Sequence, residues 1–185
     1  MQLEKVLFIG MPGSGKGTQA KLLAKYGFAH ISTGDIIRKA FQEKDKLIMS
    51  YKEHINEGGF LPDELILKLI EQSIVNLPKS SIGYVLDGAV RTIKQAEFAV
   101  SKGLISNTVY FTLPEKQAIE RLTKRNGLEL RIDDSPKAIR NRFKVYKKQT
   151  APILVYLKKH TNFIEIDASP SIEQIHKQVV KKLGL

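Results

Sequence analysis

Residues 10–18 read Gly-Met-Pro-Gly-Ser-Gly-Lys-Gly-Thr, a run whose glycines let successive backbone N–H groups turn toward one centre. An aliphatic stretch, Lys5–Ile9, precedes it and a helical pattern, Thr18–Tyr26, follows. A helix N-terminus at that point adds donors and partial positive charge, which suits a phosphate group. Lys16 adds a mobile full charge able to follow the β- and γ-phosphates of a nucleotide, and is expected to be exposed in the loop. The candidate phosphate ligands are Gly13, Ser14, Gly15, Lys16, Gly17 and Thr18. Four glycines, Pro12, Lys16 and Thr18 at these fixed places arise by chance roughly once in a million chains of this length. A glycine-rich turn without function is therefore set aside. Common phosphate loops place Ser or Thr directly after the lysine to hold Mg²⁺. Here Gly17 intervenes and the hydroxyl comes at Thr18, which argues against an ordinary GTPase or motor-type ATPase.

Cations recur at intervals behind this loop. Arg38 closes Ser-Thr-Gly-Asp-Ile-Ile-Arg, in which Thr33 opens a helix. Asp87 ends a strand and leads through Gly88, Ala89 and Val90 to Arg91, with Gln95 four residues later. Arg121 and Arg125 lie in Glu-Arg-Leu-Thr-Lys-Arg, Arg131 precedes Asp133 and Asp134, and Arg142 lies on the next helix, followed by Tyr146. Lys16, Arg38, Arg91, Arg125, Arg131 and Arg142 make six cations available to two polyanions. Phosphoryl transfer needs that provision: two nucleotides aligned, their repulsion screened, and charge on the transferring group stabilised, with no covalent nucleophile from the protein. Any one of these arginines alone would read as a solvated surface residue; the constellation does not. An acid at the end of a strand beside such a loop orients Mg²⁺ through its waters, so the metal is expected near Thr18 and Asp87 with no direct protein ligand.

Short strand-like runs position these residues: Lys5–Ile9, Ala29–Ile31, Tyr84–Leu86, Thr108–Thr112 and Asn162–Ile166. Between them lie the helical patterns Thr18–Tyr26, Glu64–Asn76, Ile93–Lys102, Glu115–Lys124 and Pro136–Lys159. This alternation predicts an α/β fold of three layers, a five-stranded parallel sheet with helices on both faces. Asp35–Glu57 is helical without a strand and reads as an insert, and Asn126–Asp134 as a short cover between two helices. One domain over residues 1–185 is expected, with the insert at about 32–61 and the cover at about 126–134.

The 185 residues suffice for one substantial core. Thirty Lys+Arg against nineteen Asp+Glu give a net charge of +11, a field that draws nucleotides, nucleic acids or anionic membranes. Aromatics make up only 8%, tryptophan is absent, and no aromatic–basic interleaving appears, so nucleic acid is not the expected partner. No run reaches the roughly 18 apolar residues of a membrane span and no signal-peptide pattern opens the chain. With no cysteine there is no disulfide, thiolate nucleophile or cysteine-held metal. A cytoplasmic, monomeric protein is expected.

The loop resembles the GxPGxGKGT of the adenylate kinase family, and the likeness to its short-lid members runs along almost the whole chain. The resemblance implies ATP and AMP as partners, Mg²⁺ as cofactor, and transfer from ATP to AMP giving two ADP. It assigns AMP to Thr33, Arg38, Gly59, Phe60, Leu61, Gly88, Arg91, Gln95, Arg131 and Arg142, the glutamine reading the adenine edge. It places Arg121 on the ATP base, closes Arg125, Arg131 and Arg142 on the phosphates, and brings Pro170 to the ATP base. A UMP/CMP kinase is the nearest alternative, disfavoured by Thr33, where relatives acting on pyrimidines carry a smaller residue. A P-loop ATPase that binds RNA or assists assembly is the alternative from another class. The chain departs from the family's Asp-Gly-aromatic-Pro-Arg at Ala89 and Val90. Because Gly88, Arg91 and Gln95 keep their spacing, a cis link between Ala89 and Val90 is expected.

Overall fold

The computed structural model of the chain describes residues 3–126 and 135–185, the side chains of Arg125 and Asn126 standing outside the description. The expected lid over 126–134, with Arg131, Asp133 and Asp134, lies outside the described residues apart from the end of one helix.

Strand β1, Glu4–Gly10, is apolar on both sides because both of its faces are covered. Val6 and Phe8 point into one core layer and Leu7 and Ile9 into the other. It lies at the centre of a five-stranded parallel sheet ordered β2-β3-β1-β4-β5, with β2 at Phe28–Ser32, β3 at Gly83–Asp87, β4 at Asn107–Thr112 and β5 at Asn162–Asp167. Leu7 sits opposite Leu86 of β3 and Thr108 of β4, so β3 ends at Asp87 level with Phe8 while β1 runs on to Gly10.

Helices α1 (Lys16–Leu23), α7 (Glu115–Asn126), α8 (Pro136–Val145) and α10 (Ile172–Leu183) supply the first core layer. The second layer is filled by α5 (Asp63–Val75), α6 (Ile93–Ser101) and α9 (Ile153–His160). Three short helices, α2 (Thr33–Gln42), α3 (Lys46–Met49) and α4 (Lys52–Asn56), form the strandless stretch between β2 and α5. Ser32 caps α2, accepting from the Asp35 N–H at 3.2 Å, so the capping role falls one residue before Thr33.

Two expectations need correction. The pattern over Pro136–Lys159 is not one helix: α8 ends at Val145, Tyr146–Thr150 winds as a π turn, and α9 starts after Pro152. The Ala151 N–H bonds to the Tyr146 carbonyl across five residues at 2.8 Å, and Pro152 has no N–H with which to restore the α pattern. The Ala89–Val90 link is trans, for no cis bond occurs among the described residues. Neither residue is proline, and a cis link between them would cost about 3 kcal/mol. Both side chains are instead buried in the second core layer.

Candidate active site

Ligands of open parallel sheets lie outside the carboxyl ends of the strands, and a large cavity here does so. It measures about 650 Å³ and reaches from the ends of β1, β2 and β3 to α8 and the turn before α10. That is in the middle of the range of roughly 300–1,000 Å³ typical of ligand sites.

Its floor is the phosphate loop. Gly13 has φ of 86°, and a Cβ there would lie 2.6 Å from the Ala118 carbonyl, so the turn needs glycine twice over. The loop delivers the N-terminus of α1 to the cavity, with Gly15, Lys16, Gly17 and the exposed Thr18 in the wall. Lys16 is not extended into solvent as expected. It is half-buried, and its Nζ donates to the carbonyls of Gly10 at 2.8 Å and Met11 at 3.0 Å and to Ser14 Oγ at 3.2 Å. A glycine-rich backbone turns carbonyls as well as N–H groups toward the centre, and the ammonium folds onto them. Ser14 is fully buried and stands behind the wall.

Asp87 ends β3 beside this floor. His30 of β2, which the sequence reading did not single out, donates from Nε2 to Asp87 Oδ2 at 3.3 Å, the two side chains being 13% and 15% exposed. Burial pushes the Asp87 carboxyl up. The His30 hydrogen bond and the charges of Lys16, His30 and Arg91 outweigh it and hold the group below its ordinary 3.8. A Cβ on residue 17 would stand 3.1 Å from Asp87 Oδ2, which gives a local reason for glycine directly after the lysine. Among the described residues no group of three or more His, Cys, Asp or Glu side chains is placed to hold a metal ion.

The donor end is completed by Arg121, whose Nη2 donates to the Ser169 carbonyl at 3.2 Å, and by Pro170 and Ile172 in the wall. Gln19, 1% exposed, joins α1 to this turn: its Nε2 donates to the Ile172 carbonyl at 3.0 Å and its Oε1 meets His176 Nδ1 at 3.1 Å. The sequence held no signal for that link, since its members lie more than 150 residues apart.

The opposite wall carries Arg38, Phe60, Gly88, Arg91 and Arg142. Arg38 pairs with Asp35 one turn earlier on α2. Burial raises Asp35, but the hydrogen bond and charge of Arg38 leave it below the usual carboxylate range. The Arg91 guanidinium lies 4.7 Å from the centre of the Phe60 ring and its Nε donates to the Gly88 carbonyl at 2.7 Å. Tyr146 and Thr150 of the π turn close this end.

Four of the residues assigned to AMP stand behind the wall. Thr33 Oγ1 donates to the Gly88 carbonyl at 2.9 Å, Leu61 is packed in the second core layer, and Gly59 backs onto His54. Gln95 is 1% exposed, and both ends of its amide are engaged within the protein. The Arg125 side chain and Arg131 lie outside the described residues.

Comparison with known proteins gives the chain relatives along nearly its whole length. A family model described as adenylate kinase matches residues 8–162. The chain is 33% identical to the adenylate kinase of Kosmotoga olearia, over 96% of this chain and 98% of that protein. It is 36% identical to the adenylate kinase of Prochlorococcus marinus, over 97% and 98%, and 37% identical to that of Azobacteroides pseudotrichonymphae, over 94% of each.

Proposed function

This chain belongs to the adenylate kinase family, and from that premise we propose that it transfers the γ-phosphoryl group of ATP reversibly to AMP, giving two ADP. The observation that carries the reading is one cavity with a phosphate loop at one end and Arg38, Arg91 and Arg142 at the other. A lone nucleotide triphosphatase has no need of that second set. In transfer, an AMP phosphate oxygen forms a bond to the γ-phosphorus as the bond to the ADP oxygen breaks, roughly in line. Lys16 leaves its carbonyl partners and accompanies the charge moving to the leaving oxygen. Arg91 and Arg142 hold the attacking phosphate, and Arg38 reaches it by exchanging Asp35 for a phosphate oxygen. Arg125 and Arg131 complete the cage by resemblance.

Mg²⁺, when bound with ATP, withdraws charge from the β- and γ-phosphates. Asp87, a depressed carboxylate beside the phosphate loop, and the exposed Thr18 hydroxyl suit an ion held chiefly by phosphate and water. Arg121 and Pro170 take the ATP base, and Gln95 takes the AMP base once Val90 moves aside, using the second hydrogen of its amide nitrogen and the second lone pair of its oxygen. The insert over 32–61 is the AMP-side cover and 126–134 the ATP-side cover. The phosphate loop and the arginine wall meet within this chain, so a monomer would suffice as the working unit, and ATP and AMP as substrates suit the cytoplasm. No helix among the described residues is long and apolar enough to cross a membrane.

A coupled assay with ATP and each of AMP, GMP, UMP and CMP tests this. AMP is expected to react at least about tenfold faster at equal low concentration, a difference of about 1.4 kcal/mol. Equal or faster use of CMP would overturn the acceptor and leave the fold standing.

A further inference from the structure

We propose that Asp63, which lies outside the cavity wall, is a positioning residue for the acceptor phosphate and acts through Gln95 on Arg91. The inference rests on the reading above, in which Arg91 meets the AMP phosphate.

A buried glutamine amide can be turned over, exchanging its oxygen and nitrogen, and only its partners decide which way it lies. At Gln95 both partners are unambiguous. The Arg91 backbone N–H can only donate, and it reaches Oε1 at 2.7 Å. The Asp63 carboxylate can only accept, and its Oδ1 receives Nε2 at 2.8 Å. Turning the amide over would set donor against donor and oxygen against carboxylate, and the site is too buried for water to repair either. The same Oδ1 receives the Thr92 hydroxyl at 3.0 Å, and Thr92 Oγ1 in turn accepts the Gln95 N–H that it caps at 3.3 Å. Asp63 thus ties the first turn of α5 to the first turn of α6.

Arg91 gains from this on both sides. Its N–H is held by Gln95, and its carbonyl accepts from Thr150 Oγ1 at 3.0 Å. With the peptide groups on either side of residue 91 fixed, the guanidinium is left to aim between Gly88 and Phe60. Proline before the arginine would restrict this backbone covalently; at Val90 the hydrogen bonds supply the restriction. Without Asp63 the Gln95 amide loses the partner of its nitrogen, and the N–H of Arg91 is held by a side chain free to swing.

The test is steady-state kinetics on the full chain, varying AMP at saturating ATP and ATP at saturating AMP. The parent is assayed first; if it fails to phosphorylate AMP, the functional reading itself is at fault and Asp63 is not in question. Given an active parent, Asp63→Ala should raise the KM for AMP about tenfold and leave the KM for ATP within about twofold. Both bonds end on the single oxygen Oδ1, so Asp63→Asn, which keeps that atom, should stay within about threefold of the parent. If Asp63→Ala does not fold by circular dichroism, Asp63→Ser, too short to reach Gln95, takes its place with the same expectation. An unchanged KM for AMP, an equal rise in both KM values, or an Asn variant as impaired as the short one would each overturn the proposal.

Discussion

The two ends of the cavity are built on different principles. At the donor end the phosphate site is a continuous piece of backbone: residues 10–18 carry the phosphate loop, its lysine and the helix start, and a carbonyl pair holds the lysine in reserve. The acceptor end is assembled from side chains brought from β3, α2, α5, α6, α8 and the π turn. Its arginine at position 91 owes its aim to Gln95, Thr150 and Asp63. Backbone N–H groups offer phosphate the same donors whatever the neighbouring side chains, so the donor end tolerates change away from its glycines. An assembled site passes strain from one distant residue to another, so the acceptor end is where substitutions far from the cavity should be felt.

Lys16→Met should have the largest effect. A neutral side chain cannot accompany charge to the leaving oxygen, and transfer should fall about 10³-fold or more, with the KM for ATP raised and the KM for AMP little altered. The Nζ contacts are with loop carbonyls and a serine, so thermal unfolding should shift only slightly. Retained activity would remove the donor end from the chemistry.

Arg91→Ala should separate the two ends most sharply. Loss of a charge-assisted contact to the acceptor phosphate is worth up to about 3 kcal/mol, which is about 100-fold in use of AMP. Calorimetric binding of ATP alone should stay within about threefold. A loss shared equally by both nucleotides would mean that the cavity is not partitioned as described.

Gly17→Ala probes the seam between the ends. Alanine in a helix is better than glycine by about 1 kcal/mol, yet its Cβ would press on Asp87 Oδ2 at 3.1 Å. Thermal stability should hold or rise, while transfer falls about tenfold and the Mg²⁺ needed for half-maximal rate increases. Normal activity with an unchanged Mg²⁺ dependence would show that Asp87 yields without consequence.

The smallest effect is on stability. Because the folded Asp87 carboxyl titrates below its ordinary 3.8, it binds fewer protons than in the unfolded chain. Its contribution is present above about pH 4 and is lost as pH falls through the folded value. Thermal midpoints measured from pH 6 to pH 3 should fall more steeply for the parent than for Asp87→Asn. Parallel curves would show that the carboxylate is not favoured by His30, Lys16 and Arg91.

The same contrast explains what could be read from the chain. The phosphate loop was legible because its parts are consecutive, and the central strand because Val6, Leu7, Phe8 and Ile9 are apolar on both faces. Arg91 and Gln95 were legible as a pair because one helix turn separates them. Asp63 and Thr150 were not, since their partners lie 29 to 59 residues away and no periodicity records such a link. His30 was hidden inside a strand pattern that any residue with one half-buried face would satisfy. The break at Tyr146–Thr150 was missed because apolar spacing continues through a π turn, and only Pro152 hinted at an end. The trans link at Ala89–Val90 was misjudged by carrying over a geometry that belongs to proline.

The central claim is that one cavity holds both nucleotides at once, phosphates facing. Titration calorimetry with two adenosines joined through five phosphates tests it most directly. The account predicts one molecule per chain, bound more tightly than ATP, with affinity reduced by Lys16→Met and by Arg91→Ala alike. Binding no tighter than ATP, or a response to Lys16→Met but not to Arg91→Ala, would contradict it.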